Sequence, residues 1–178
     1  MKKTIKALLA TLALSGFAGA AQATLIGDEV GCNITGGGSF SCNTATNTVV
    51  DPGVEFFVGG GQFISVDISA ASIALNFLNT GSLGGTIINL TDLDWVGMPL
   101  GEITGIELTS NSGVNGLTAG DLSFGAHNIS INLIGTNFSQ GATALISLAT
   151  SQHVPEPATL GLLGLGLAGL GLARRKKA

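Results

Sequence analysis

Between Thr24 and Val154 the chain contains ten Asp and Glu but not one Lys or Arg. All seven cations lie outside that stretch: Lys2, Lys3, Lys6, Arg174, Arg175, Lys176 and Lys177. No salt bridge to Lys or Arg can therefore form within it. Its fold must rest on apolar burial and on hydrogen bonds. A nucleic-acid groove is excluded, because nothing in the stretch can neutralise phosphates. Charged residues make up only 10% of the chain, against about 25% in ordinary soluble domains.

The same stretch is patterned with a period of two. Ile64, Val66 and Ile68 alternate with Ser65, Asp67 and Ser69. Ile73, Leu75 and Phe77 alternate with Ala74, Asn76 and Leu78, and Ile129, Ile131 and Leu133 with Asn128, Ser130 and Asn132. Each set puts apolar side chains on one face of a strand and small or polar ones on the other. Gly36-Gly37-Gly38, Gly59-Gly60-Gly61 and Asn115-Gly116 punctuate the runs as turns. Roughly eight to eleven short strands are expected, in an all-β fold with one antiparallel β-sandwich-like domain over residues 24–150. Polar alternate positions argue against a fully buried parallel sheet. Residues 73–80 (IALNFLNT) also align with residues 129–136 (ISINLIGT), each preceded by Asp-apolar-Ser. That match is either a duplicated hairpin or two strands obeying one pattern.

The two ends are read as addresses. Residues 1–23 form a signal peptide with a cationic start, an apolar stretch and the small-x-small sequence Ala21-Gln22-Ala23. Ala21 and Ala23 are the signal peptidase site, so signal peptidase and the export machinery are expected partners. An uncleaved N-terminal anchor is the alternative. At the other end, residues 151–157 form a linker containing Pro155-Glu156-Pro157. Residues 158–173 come next as an apolar Gly/Leu segment. Sixteen residues at ~1.5 Å each reach about 24 Å, a short transmembrane helix against a core of about 30 Å. Its glycines are not spaced as a GxxxG dimerisation face. Residues 174–178 form a basic tail held on the cytoplasmic side, with Arg174, Arg175, Lys176 and Lys177 as a stop signal. An N-terminal export signal then places the middle of the chain outside the inner membrane.

In that order and at that place, the tripeptide, the Gly/Leu helix and the basic cluster resemble the PEP-CTERM sorting signal of Gram-negative bacteria. The resemblance implies a substrate of exosortase, a membrane thiol transpeptidase that recognises the tripeptide, cuts there and releases or re-anchors the product. Pro155, Glu156 and Pro157 are then recognition residues, substrate and not catalyst. It also implies an inner-membrane-anchored intermediate facing the periplasm, then delivery to the cell surface or extracellular matrix, in association with exopolysaccharide and biofilm. An ordinary C-terminal anchor on a Pro-rich stalk is the alternative. The stretch from Ala23 to Val30 and the core after it resemble the small Gly/Asn/Thr-rich cores of such proteins, a likeness that brings no activity.

Cys32 and Cys42 are the only cysteines. Export to an oxidising compartment makes a disulfide between them the expected state. Asn33 to Ser41 between them reads as a hairpin, with the two Cys facing across adjacent strands. A two-Cys zinc site lacks partners, since His127 and His153 are distant in sequence.

Catalytic residues are expected to be none. His127 has Asp121 near it in sequence, but no G-x-S-x-G elbow surrounds any Ser, so a surface histidine is the plainer reading. Asp92 and Asp94 flank Leu93 and precede Trp95. On a strand both carboxylates would share one face, a candidate acid pair for sugar chemistry. Leu93 and Trp95 fit equally well as core residues beside a solvated acidic edge. No cofactor and no metal site are expected. The acid would suit Ca2+, but no D-x-D-x-D-G loop is present. With no Tyr and one Trp, an aromatic sugar platform would need Phe56, Phe57 or Phe63 at the surface. The Asn-x-Ser/Thr sequences at Asn33, Asn89, Asn128 and Asn137 are read as accidental. The resulting expectation is a non-enzymatic exported surface or matrix protein, structural or adhesive in role. Its rival is a secreted module binding Ca2+ or carbohydrate.

Overall fold

The alternating runs pair with one another along the whole middle of the chain. The computed structural model describes residues 24–36, 40–96 and 101–151. The regions read as signal peptide, tripeptide, sorting helix and basic tail lie outside those residues. The strands are β1 (Glu29–Thr35), β2 (Thr46–Thr48), β3 (Phe56–Val58), β4 (Ile64–Ile68), β5 (Ser72–Phe77), β6 (Gly81–Ser82), β7 (Ile87–Thr91), β8 (Ile103–Asn115), β9 (Leu122–Phe124), β10 (Ile129–Asn132) and β11 (Asn137–Thr150). One sheet has the order β2-β1-β7-β10-β9. The other runs β3-β4-β5-β11-β6, with β8 on the free edge of β11. Every pairing is antiparallel.

The period-two reading holds at the apolar positions, while on the opposite face Ser65 is buried as well. Ile64, Val66, Ile68, Ile73, Leu75, Ile131 and Leu133 are completely buried. One core cluster gathers Val30, Ile88, Leu90 and Ile129 from the first sheet with Phe56, Leu75, Phe77 and Ile146 from the second. Two sheets therefore enclose a single core, as expected for a sandwich-like fold. Gly59, Gly60 and Gly61 all take positive φ in the β3–β4 turn, where residues with a Cβ are strained. Gly59 has a second reason to be Gly, because a Cβ there would press on the rings of Phe40 and Phe63.

Two matching turns carry the chain between sheets. Leu83 to Thr86 takes it from β6 to β7, and Leu133 to Thr136 takes it from β10 to β11. Each is closed by the Thr amide donating to the Leu carbonyl, at 3.4 Å and 3.2 Å. The two turns touch, since the Leu133 amide donates to the Thr86 carbonyl at 2.9 Å. Leu-x-Gly-Thr is thus the internal repeat that the fold uses. Residues 73–80 and 129–136 do each contain a hairpin strand, β5 against β4 and β10 against β9. They belong to different sheets, however, and the Asp that precedes each sits at the end of β4 in one case and before β9 in the other.

β8 is a long edge in a stretch without Lys, the residue that most often guards such edges. Its pairing with β11 shifts register between Phe138 and Thr143, Leu145 and Ile146, and Ala149 and Thr150. Bulges bend and twist an edge out of line for further pairing, so irregular register takes over the protective role of charge.

Candidate functional site

The disulfide forms between Cys32 and Cys42, with Cα atoms 6.1 Å apart, but it is not the rung of a hairpin. Cys32 lies in β1, which pairs with β2 through Glu29–Thr48, Val30–Asn47 and Gly31–Thr46. Cys42 forms an isolated bridge with Val58 of β3, in the other sheet. The bond therefore ties the two sheets together. The hairpin expectation fails because Asn43 and Phe57 claim the connecting segment for β3: the Asn43 amide donates to the Phe57 carbonyl at 2.9 Å, and the Phe57 amide to Asn43 Oδ1 at 2.7 Å.

The Asp92–Trp95 segment is also not a strand. β7 ends at Thr91, and Asp92 takes a φ of 58°, a conformation uncommon for non-Gly residues but tolerated by Asp. Exposure still alternates through the break. Asp92 and Asp94 are exposed while Leu93 and Trp95 are buried. Trp95 is a core residue beside an acidic edge, and the two carboxylates have different partners. Thr91 Oγ1 donates to Asp92 Oδ2 at 2.8 Å. Asp94 meets His127, whose Nδ1 lies 2.8 Å from Asp94 Oδ1. The two atoms lie close, but His127 Nδ1 has no aligned hydrogen-bond partner there. Asp121, the neighbour in sequence, is elsewhere: its Oδ2 accepts from the amide and hydroxyl of Thr118, capping a short 3-10 turn, Ala119–Asp121.

Asp28 completes this edge. Its Oδ2 accepts from the Asp94 amide at 2.8 Å. Burial pushes the Asp28 carboxyl above its ordinary value, the amides of Asp94 and Glu29 hold it down in part, and the charges of Asp94 and Asp92 push it up again. The arrangement positions loops. The Leu93 amide donates to the His127 carbonyl at 3.0 Å, and the Val96 amide to the Thr24 carbonyl at 2.8 Å. Among the described residues no group of three or more His, Cys, Asp or Glu is arranged to hold a metal ion.

The aromatic candidates divide. Phe56 is fully buried, whereas Phe57 and Phe63 are half-buried. Phe63 stands edge-on to Phe40 with ring centroids 5.1 Å apart, a packing pair and not a flat platform. Asn33 and Asn89 lie directly opposite each other on β1 and β7. Asn89 Nδ2 donates to Thr35 Oγ1, and Ser130 Oγ donates to Asn89 Oδ1, both at 2.9 Å. Sequence reasoning misses this polar ladder across β1, β7 and β10, although Asn and Thr at alternate strand positions are its signal.

Both ends of the domain meet at one pole. The Leu25 amide donates to the Ala70 carbonyl and the Leu148 amide to the Ala71 carbonyl, each at 2.9 Å, so the first and last segments flank the β4–β5 turn. Beyond β11 the Ser151 amide donates to the Glu102 carbonyl at 2.9 Å, and the Glu102 amide to Ser151 Oγ at 3.1 Å.

The sequence-read sorting residues Pro155, Glu156, Pro157, Arg174, Arg175, Lys176 and Lys177, and Ala21 and Ala23 of the signal peptidase site, lie outside the described residues. No curated protein and no solved structure matches the chain. A family model of the PEP-CTERM protein-sorting motif matches residues 153–177, a span that includes the tripeptide and the basic cluster. The motif implies an exported, surface-directed protein processed by exosortase. Beyond its all-β domain, the chain therefore carries a PEP-CTERM protein-sorting motif over residues 153–177.

Proposed function

We propose that the chain is a non-enzymatic surface or extracellular-matrix protein, structural or adhesive within exopolysaccharide or biofilm. It reaches that place as an inner-membrane-anchored intermediate whose tail is the sorting signal. The observation that carries this reading is the motif at residues 153–177. The domain supports it in three ways. Its core is closed by an inter-sheet disulfide suited to an oxidising compartment. Its His127–Asp94 contact is open to solvent, with His127 at 42% and Asp94 at 63%. The carboxylates of Asp92 and Asp94 meet different partners, Thr91 and His127. In this reading no cofactor and no catalytic residue of its own is required.

The test is the intact mass of the native protein from its own envelope or matrix. A mass lacking residues 1–23 and the segment beyond the tripeptide, and two hydrogens short for the disulfide, is expected. A full-length tail on the surface-located protein refutes the sorting assignment. Calorimetry with Ca2+ and a glycan panel tests the role. Saturable micromolar binding would transfer the chain to the rival class of secreted binding modules.

A further inference from the structure

The pole where the chain enters and leaves bears directly on processing. Thr24 is bridged to Val96, Leu25 and Leu148 are hydrogen-bonded to consecutive carbonyls of one turn, and Ser151 and Glu102 hold each other by two hydrogen bonds. Strand pairing therefore continues to within four residues of Pro155. Four residues span at most about 14 Å when fully extended. A globular domain of this size is wider than that, so an enzyme working on the tripeptide works against the domain's own surface. We propose that the pole formed by Thr24, Ala70, Ala71, Val96, Glu102 and Ser151 is the face the domain turns toward the membrane enzyme that removes the tail, and that the Glu102–Ser151 pair sets the slack between fold and tripeptide.

This inference rests on the reading that the tail is an exosortase-type substrate, and it adds the spacing requirement. Ile26 and Val96 are exposed at 37% and 46%, and Asp94 and Glu102 are exposed as well. The surface offered to the enzyme is thus apolar with an acidic margin, and it holds no Lys or Arg.

The experiment tracks tail loss of the full-length chain by pulse-chase and intact mass, in a host that contains the processing enzyme. Deleting residues 152–154, which brings Pro155 next to Ser151, is expected to slow tail loss at least tenfold. Replacing the same three residues by Gly-Ser-Gly, which keeps the length, is expected to leave the rate within about twofold. Ser151→Pro in the deletion background removes the amide that donates to Glu102 and is expected to recover part of the rate by freeing the strand end. Thermal melts of all three check that the domain is intact. Unchanged tail loss in the deletion overturns the inference, and so does equal slowing in the Gly-Ser-Gly replacement, which would assign the effect to residue identity. If the unaltered chain keeps its tail in this host, the sorting assignment itself fails, a result distinct from either.

Discussion

The Glu55 carboxylate accepts a hydrogen bond of 2.6 Å from the backbone amide of Ile68 through Oε2. Its other oxygen, Oε1, accepts from the Val50 amide at 3.0 Å. Glu55 is 1% exposed, and no Lys or Arg exists in the domain to meet it. A buried carboxylate has to be compensated, and here backbone amides do so. The Glu55 carbonyl is used as well, accepting from Asn47 Nδ2 at 2.8 Å. One side chain thus fastens the long connection between β2 and β3 to the end of β4.

Glu55→Ala should cost about 3 kcal/mol, since it leaves the buried Ile68 amide and the part-buried Val50 amide without acceptors, at roughly 1–3 kcal/mol for a buried group and less for a part-buried one. Glu55→Gln should cost less, because it retains one oxygen acceptor. Urea unfolding monitored by Trp95 fluorescence measures both. An Ala variant within about 1 kcal/mol of the parent would show that water replaces the carboxylate freely.

The paired turns make a second prediction, because the same residue type has opposite value in each. Thr136 Oγ1 donates to the Leu133 carbonyl at 2.8 Å. Thr86 Oγ1 is equally buried and has no partner. Thr136→Val should therefore destabilise by about 1 kcal/mol, while Thr86→Val should be neutral or stabilising by a similar amount. Equal losses from both substitutions would mean that the Thr86 hydroxyl is satisfied after all, and differential scanning calorimetry decides it.

Much of this is legible in the sequence. Ile64, Ile73 and Ile129 head runs whose burial obeys the period-two pattern without exception on the inward face, because a core behind one sheet face imposes that period. Leu93 and Trp95 are legible for the same reason even though no strand holds them. The hidden part depends on contacts distant in sequence. Cys42 is drawn toward Val58 by β3, and nothing between Cys32 and Cys42 reveals that attraction. Asp28 and His127 meet Asp94 from residues far away on either side, so the nearer Asp121 is a false lead. Nothing beside Glu55 in the sequence signals that the Ile68 amide, thirteen residues on, meets its carboxylate.

Cleaving the inter-sheet bond should weaken the domain without unmaking it. A ring of about ten residues is worth about 2–3 kcal/mol by the chain-entropy relation, and Cys32 is 7% exposed beneath it. A Cys32→Ala and Cys42→Ala double variant should lose that amount in urea unfolding, and reductant should then have no further effect on it. Because the bond joins two sheets, proteolysis between Gly36 and Ala45 should accelerate more than cutting elsewhere. A uniform increase at all sites would contradict the inter-sheet assignment.

The acid-rich surface sets the final prediction, on pH. Burial raises the Asp67 carboxyl above its ordinary value of 3.8, and the Asp51 charge adds to the rise. Asp28 is raised in the same direction. A carboxyl that is harder to ionise in the native state binds more protons there than in the unfolded chain across the interval between the two values. Stability from these groups therefore falls as pH climbs through that interval and stays lower above it. Asp67→Asn removes the penalty, so its melting temperature should exceed that of the parent at about pH 7, with a gain worth less than about 1 kcal/mol at this partly solvated site. Below the ordinary value of 3.8 the parent aspartate is protonated in both states and the difference should vanish. A gain that persists at about pH 3, or a loss at about pH 7, would show that Asp67 contributes through its packing and not its charge; melts from about pH 3 to 8 at fixed ionic strength separate the two.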